Sequence, residues 1–586
     1  MSRKAFFRSI VSFSSFLLFT RLVLSTPPED PVKCSSPKNT SCTITNSYGV
    51  FPDRTTCSAS QVLYPTSEQE LVSATAFAAK NGMKMKVATR YSHSIPKLVC
   101  PDGQNGLLIS TKYLNQIVKV DVEERKMVVQ SGVTLKQLIN EAAKVGLALP
   151  YGPYWWGLTI GGLMGTGAHG SSLWGRGSSV HDHVVEVRVV VSASPENGFA
   201  KVLVLKEEDE DLNAVKVSLG VLGVLSQITL KLEPMFKRSI TYLAKKDWDL
   251  GDQVGSFGHN HEFADITWYP SQHKAVYRVD DRVPINVSGN GLYDFIPFRP
   301  TASLELALIR TTEDVQESTN DANGKCLGAK TTMDALINSA FGLTNNGIIF
   351  TGYPVIGFQN RLQASGTCLD SLMDAKITAC AWDSRVKGEF FHQTTFSIAL
   401  PSAKGFIEDV QKLVQLEPKA LCGVELYNGI LMRYVKTSSA YLGKQDDAID
   451  FDITYYRSKD PTNPRLYEDI IEEIEQLGIF KYGGFPHWGK NRNLAFDKAI
   501  RKYKNADKFL EVKERFDPQG LFSSEWTDQV LGLKEGLMIE KDGCALEGLC
   551  ICSQDSHCAP SEGYFCRPGR VYKEARVCTR VKSKTV

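Results

Sequence analysis

The densest chemical signal in the chain is Gly161-Gly162-Leu163-Met164-Gly165-Thr166-Gly167-Ala168-His169-Gly170-Ser171-Ser172, where five glycines and several small hydroxyls fill twelve positions between two apolar segments. Absent side chains let a main chain approach a diphosphate closely, and successive N–H dipoles make an anion-binding concavity. The spacing is not G-x-G-x-x-G in a strand–loop–helix setting and lacks the P-loop lysine, so neither a Rossmann fold nor a nucleotide triphosphatase is implied. The bland alternative is a flexible surface loop. A second group, Thr89-Arg90-Tyr91-Ser92-His93-Ser94, follows directly on an expected strand over 84–87 and sets small polar groups, a cation and an imidazole in a turn. There His93 could serve as base, ligand or attachment point, or be a hydrogen-bonded surface histidine. Further on, Asp450, Asp452 and Thr454 share one strand face by period-2 alternation, which reads either as a chemical patch or as a solvated face.

These groups need elements to hold them. Residues 61–234 read as an α+β domain that opens with a helix over 68–80, capped by Ser67-x-x-Glu70 and ended at Gly82. Strands are expected over 83–87, 106–110, 117–122, 126–130, 184–191, 200–205 and 225–232, with a helix over 135–145. From 235 to about 480 the pattern changes to aromatic and β-branched strands alternating with apolar helices such as 406–416, which marks a second domain. Residues 481–530 form a compact segment rich in motifs, and 531–586 a cysteine-rich tail with few aliphatics, held by bridges.

At 586 residues, 42% hydrophobic and 23% charged, the chain is ordinary globular material with room for two or three cores. A formal charge of +2 and the lack of a basic run interleaved with aromatics argue against a nucleic-acid partner. Arg3, Lys4 and Arg8 before an apolar stretch over 10–24 read as a signal peptide ending near residue 25, with a short membrane anchor as the alternative. The 14 cysteines fall into clusters at 34–100, 326–422 and 544–578, each able to pair within itself, as in an exported protein with no membrane attachment after cleavage. A zinc module is the runner-up for the tail, but paired C-x-x-C units are missing there. Asn39-Thr40-Ser41 and Asn286-Val287-Ser288 are glycosylation sequons.

The pairing of residues 89–94 with 161–172 at this separation resembles the vanillyl-alcohol oxidase type of FAD-binding fold, and within it the aldonolactone oxidoreductases of the plant L-gulono-1,4-lactone oxidase group. The resemblance covers residues 61–234 and continues more weakly to about 526. It implies a two-subdomain FAD-binding unit, a mixed α/β cap over 235–480 and FAD as cofactor. His93 resembles the histidine that many members bond to the flavin 8α-methyl, with Arg90, Tyr91, Ser92 and Ser94 around it, although Thr89, Arg90 and Tyr91 replace the family's glycine-rich lead-in. Gly161, Gly162, Gly165, Thr166, Gly167, His169 and Gly170 correspond to the pyrophosphate segment. Gly220 and Gly223 belong to the stretch lining adenine and ribose, which could equally be core. A second covalent link needs a cysteine within residues 152–157, and there is none. Gly152 takes the oxygen-gating position, where glycine leaves the flavin open and alanine closes it.

Pro486-His487-Trp488-Gly489-Lys490 matches the His-Trp-x-Lys motif of the aldonolactone oxidoreductases, and a lysine at the flavin N1/C2 edge would stabilise the negative charge that hydride transfer creates. The family's Glu-x-Arg falls on Leu431-Met432-Arg433, so the arginine is present and the glutamate is missing. Arg433 is then expected to orient a lactone carbonyl, with Asp452, or failing it Glu425, as the proton acceptor. The implied reaction is oxidation of L-gulono-1,4-lactone at C2 to a 2-keto lactone that enolises to L-ascorbate, with oxygen reduced to hydrogen peroxide or another acceptor taking the electrons. The alternatives are a flavin oxidase or dehydrogenase of another sugar alcohol or carbohydrate, and an extracellular binding glycoprotein without catalysis.

Overall fold

A computed structural model of the chain describes residues 30–45, 57–90, 94–102, 105–369, 378–383, 386, 390–457, 460 and 463–581. The expected signal segment and Tyr91, Ser92 and His93 lie outside the described residues. No helix among the described residues is long and apolar enough to cross a membrane.

Two small sheets form the N-terminal half. The first runs Val32–Cys34, Thr40–Ile44, Cys57–Leu63, Leu107–Ser110, Met85–Ala88, with its last three strands parallel. The second, antiparallel throughout, runs Ala200–Lys206, Val184–Ser192, Val224–Lys231, Lys126–Gln130, Ile117–Asp121. Helix Glu68–Lys80 packs on the second sheet and is tied to it by Glu68, whose carboxylate accepts two Arg188 bonds at 2.8 and 2.7 Å and the Ser226 O–H at 2.6 Å. Ser67 caps this helix by accepting the Glu70 N–H at 3.2 Å, a contact worth about 1 kcal/mol. The return half of the expected capping box is displaced by one residue, because the Glu70 carboxylate takes the N–H and O–H of Thr66 at 2.7 and 2.9 Å.

The cap is built on an eight-stranded antiparallel sheet in the order Val355–Phe358, Lys237–Lys246, Lys274–Val283, Asp265–Tyr269, Ile430–Val435, Ala448–Arg457, Phe390–Ala399, Phe485–Pro486. Alternation divides its two faces cleanly. Ile266, Trp268, Met432, Tyr434, Phe451 and Ile453 bury one face against helices Leu250–Asn260 and Leu400–Leu416. Asp265, Thr267, Leu431, Arg433, Asp450 and Asp452 therefore fall on the other. The second helix starts six residues before its expected onset, since Pro401 is well tolerated in a first turn.

Strand Phe485–Pro486 adds to the cap sheet edge, and the chain then returns to the first sheet, where Met85 N–H donates to the Leu521 carbonyl at 2.8 Å. The His487–Lys490 stretch is thereby held between the two halves.

All seven disulfides stay within the three sequence clusters: Cys34–Cys42, Cys57–Cys100, Cys326–Cys422, Cys368–Cys380, Cys544–Cys550, Cys552–Cys566 and Cys558–Cys578. Among the described residues no cysteine is free, so the tail keeps no thiolate for zinc. The tail docks on helix Glu468–Gln476, whose Glu473 carboxylate accepts the N–H groups of Arg570, Val571 and Tyr572 at 2.6, 2.7 and 2.7 Å.

Candidate active site

A cavity of about 990 Å³ lies between the cap sheet and the N-terminal half, and the three motif-bearing segments converge on it. A Cβ at Gly162 would sit 3.3 Å from Thr89 Cγ2, and one at Gly489 would sit 3.3 Å from Thr166 Cβ. Ile95 N–H donates to the Gly489 carbonyl at 3.2 Å. Thr89, Ser94, Gly161, Gly162, Gly165, Thr166, His169, Gly220, Gly223 and Lys490 all face the cavity, whereas exposed Arg90 does not.

The glycine-rich segment is not the open loop its composition suggests. Residues Ile160–Thr166 form a short helix, with Thr159 as N-cap and Gly167 closing it in the left-handed region at φ 68°. The N–H groups of Gly161, Gly162 and Gly170 are taken by Ser131 O at 2.8 Å, Thr159 Oγ1 at 3.3 Å and Ser178 O at 2.9 Å. Glycine is needed here for close approach in two senses. A Cβ at Gly161 would lie 2.9 Å from Ser131 Cβ, so that position serves packing, while Gly165 and Gly220 meet nothing within 4 Å and leave space at the cavity wall. Leu219 N–H bonds to the Gly165 carbonyl at 2.9 Å, which brings the 218–220 turn beside the helix. Ser131 Oγ, on the same wall, is buried with no partner among the described residues, a polar atom suited to a bound cofactor.

Opposite stands a charged cluster built by strand register. Arg433 pairs with Asp450 and Leu431 with Asp452 across neighbouring strands. Arg433 Nη2 donates to Asp450 Oδ2 at 3.0 Å and to Asp452 Oδ2, and Nη1 donates to the His169 carbonyl at 3.1 Å. Lys490 Nζ reaches Asp452 Oδ1 at 2.8 Å. His169 Nε2 lies 3.2 Å and Lys444 Nζ 3.3 Å from Asp450. Burial opposes ionisation of Asp452, but Arg433 and Lys490 outweigh it and hold the carboxyl below its usual range; Lys444, His169 and Arg433 do so more strongly for Asp450. Burial lowers the Lys490 ammonium despite Asp452. Burial also lowers the His169 imidazole and, more strongly, that of His487, whose Nδ1 accepts the Gly489 N–H at 3.1 Å. Arg433 Nε, buried on the cavity wall, has no partner among the described residues and remains a donor for a ligand.

Glu425 and Gly152 lie off the cavity lining, as do Gly167 and Gly170, whereas Asp452 lines it. Asp452 accepts Gln393 Nε2 at 3.0 Å and Thr395 O–H besides Lys490 and Arg433, so both of its oxygens are engaged and it clamps the two cations. Glu425, in the turn of helix Cys422–Glu425, is fully buried away from the cavity lining and accepts the Ser271 N–H. Gly152 is likewise off the lining, and a Cβ there would lie 2.7 Å from Gln363 Nε2.

Asp265, which sequence alone did not single out, lines the cavity with Tyr154, and Arg278 stands behind them: Tyr154 O–H donates to Asp265 Oδ2, and Arg278 Nη2 reaches Asp265 at 2.8 Å and Tyr154 Oη at 2.7 Å. An acid inside the otherwise apolar strand Asp265–Tyr269 was the available signal. Part of the cavity wall is aromatic, with Trp155 set edge-on to Phe298 and Trp382 at centroid distances of 5.1 and 4.8 Å.

Residues 59–194 match the family described as FAD binding domain, residues 369–530 match D-arabinono-1,4-lactone oxidase, and residues 541–580 match the C-terminal domain of L-gulonolactone oxidase 2-like proteins. The chain is 65% identical over 586 residues to a probable L-gulonolactone oxidase 6 of Arabidopsis thaliana, spanning 99% of this chain and 97% of that one. It is 64% identical over 577 residues to L-gulonolactone oxidase 2 of the same plant, spanning 98% of each. A solved solvent-stable cholesterol oxidase superposes with a TM-score of 0.61 at 16% identity over 81% of this chain and 96% of that one, a likeness of fold. With the cavity built by the FAD-binding segment and the cap sheet, and with near full-length identity on both sides, the chain belongs to the L-gulonolactone oxidase family of FAD-dependent oxidoreductases of the vanillyl-alcohol oxidase type.

Proposed function

We propose that the protein oxidises L-gulono-1,4-lactone at C2 to the 2-keto lactone, which enolises to L-ascorbate, with oxygen as acceptor and hydrogen peroxide as co-product. The observation that carries this reading is the Arg433–Asp452–Lys490 clamp on the cavity wall. Arg433, whose Nε has no partner among the described residues, is placed to hold a lactone carbonyl, and Lys490 to neutralise charge that develops beside it. FAD, when bound, supplies the hydride acceptor and hands electrons on. Residues 161–170 and 218–223 would hold its diphosphate and adenosine end, and His93, adjoining the cavity-lining Ser94, its single covalent link. Seven disulfides favour an oxidising, extracellular setting.

The deciding measurement is anaerobic addition of L-gulono-1,4-lactone to the purified holoprotein. Bleaching of the flavin's visible absorbance, followed on admission of air by peroxide and ascorbate, is expected. A flavin that stays oxidised with the lactone would sink the reading. Acid precipitation tests the tether: flavin should stay with the wild-type pellet and leave it in His93→Ala.

A second reading, oxidation of a larger or less polar sugar alcohol, is favoured by the aromatic part of the cavity wall and by Leu431 where the family carries glutamate. Flavin bleaching by such an alcohol and not by the lactone would select it.

A further inference from the structure

We infer that Asp265 is the proton acceptor for the substrate hydroxyl, filling the role left open by the apolar residue at position 431. The inference rests on the reading of the site as an alcohol oxidase. It begins with register: Asp265 pairs with Arg433, and Thr267 with Leu431, on adjacent antiparallel strands. Asp265 therefore stands in the arginine's own row and Leu431 in the next row of the same sheet face, and both line the cavity. A carboxylate removed from one strand is thus supplied from its neighbour.

The two site carboxylates differ in their surroundings. Asp452 is bound through both oxygens, whereas among the described residues the donors to Asp265, Tyr154 O–H and Arg278 Nη2, gather on Oδ2 and leave Oδ1 for a ligand hydroxyl. Arg278 is itself fixed by Asp280 at 3.3 Å and by the Phe263 carbonyl at 3.0 Å, so Asp265 is held in one orientation. The groups facing it are Tyr154 from the segment before helix Ile160–Thr166, Arg278 and Asp280 from Lys274–Val283, Arg433 from Ile430–Val435, and the phenols of Tyr242 and Tyr293. Burial dominates this balance and raises the Asp265 carboxyl above its ordinary value, a change that suits a base. In the reaction the alcohol loses two electrons and two hydrogens. Its O–H proton goes to Asp265, its C–H hydrogen leaves with the electron pair to the oxidised flavin, the carbon–oxygen bond becomes double, and Asp265 returns its proton to water.

The test uses the FAD-loaded protein and its Asp265→Asn, Asp265→Glu and Tyr154→Phe variants. Asp265→Asn should keep its flavin and bind substrate within a few-fold of wild type, yet reduce flavin at least about 100-fold more slowly and lose the acid limb of the pH profile. Asp265→Glu should recover part of the rate. Tyr154→Phe removes a donor that favours the ionised carboxyl, so the limb should move to higher pH. Infrared pH titration without substrate gives an independent readout: the protonated-carboxyl band appearing at the limb should vanish in Asp265→Asn and move with it in Tyr154→Phe. Flavin reduction within about threefold of wild type in Asp265→Asn with an unchanged profile would overturn the inference. If Asp265→Asn fails to load flavin, an unmoved limb in Tyr154→Phe would overturn it equally. Should the lactone leave wild-type flavin oxidised while another alcohol reduces it, the lactone reading fails, and the same variants assayed on that alcohol decide the role of Asp265.

Discussion

Leu431 and Asp452 are register partners on neighbouring cap strands, so an apolar side chain and a fully engaged carboxylate share one patch of the cavity wall. Asp452 is the only residue among those described that bonds both Arg433 and Lys490, and removing its charge should loosen both cations. Asp452→Asn is expected to lower the rate of flavin reduction by about 100-fold or more and to reduce stability by about 1–3 kcal/mol, because a buried cation loses its counter-charge. Stopped-flow reduction and a thermal melt on the same preparation check both. A variant with unaltered rate would show that the clamp does not serve the chemistry.

Lys490 supplies a pH prediction of opposite sense. Its burial lowers the ammonium below 10.5 even with Asp452 beside it, so the cation is lost as pH rises through that lowered value. If its charge stabilises reduced flavin, flavin reduction should fall on the alkaline side. Arginine stays protonated there, so Lys490→Arg should push the alkaline limb upward even if the rate on the plateau drops. Rate–pH profiles of the two proteins decide the matter, and coincident limbs would assign it to another group.

The legible parts of this protein were those in which local spacing and tertiary role coincide. Period-2 alternation put Asp450 and Asp452 on one face, and the pairing with Arg433 follows from that face being the inner one. Asp265 carried only the weak signal of an acid in a mostly apolar strand, because its importance comes from a partner strand more than 160 residues away in sequence, and nothing in the linear pattern fixes that register. The glycine-rich segment misled for a different reason: glycines at 161 and 162 read as loop, but contact with Ser131 and Thr89 selects a helix that propensity alone disfavours. Helix Glu468–Gln476 carries five acids, yet all nine residues are buried, because the disulfide-bonded tail brings N–H groups to Glu472 and Glu473 while Arg457 and Arg492 pair with Glu468 and Glu475.

The two kinds of glycine in helix Ile160–Thr166 should separate under substitution. Gly165→Ala adds a methyl with nothing within 4 Å, on the cavity wall, so it should stabilise the flavin-free protein by up to about 1 kcal/mol through helix propensity while lowering flavin occupancy. Gly161→Ala forces a methyl to 2.9 Å from Ser131 Cβ and should destabilise the protein by about 1–3 kcal/mol even without flavin. Melting curves with and without added FAD, together with the ratio of flavin to protein absorbance, distinguish the two. Equal losses in both assays would mean that Gly165 is a packing glycine as well.

Glu425 tests the same electrostatics where no chemistry is involved. Its carboxyl, fully buried behind Ser271, is pushed by burial up to about 8 from 4.5, so the folded protein holds a proton there that the unfolded chain has released. A raised acid works against stability as pH increases: between about 4.5 and 8 the folded state binds more protons than the unfolded one, and folding free energy is lost across that window. Glutamine keeps an acceptor for the Ser271 N–H and has no proton to lose. Glu425→Gln should therefore melt with wild type at pH 4.5 and increasingly above it as pH rises to 8, by an amount on the order of a few kcal/mol, with flavin reduction unchanged because the side chain is off the cavity. Calorimetric melts at stepped pH read the divergence directly, and parallel curves would place an ionised carboxylate at this buried position.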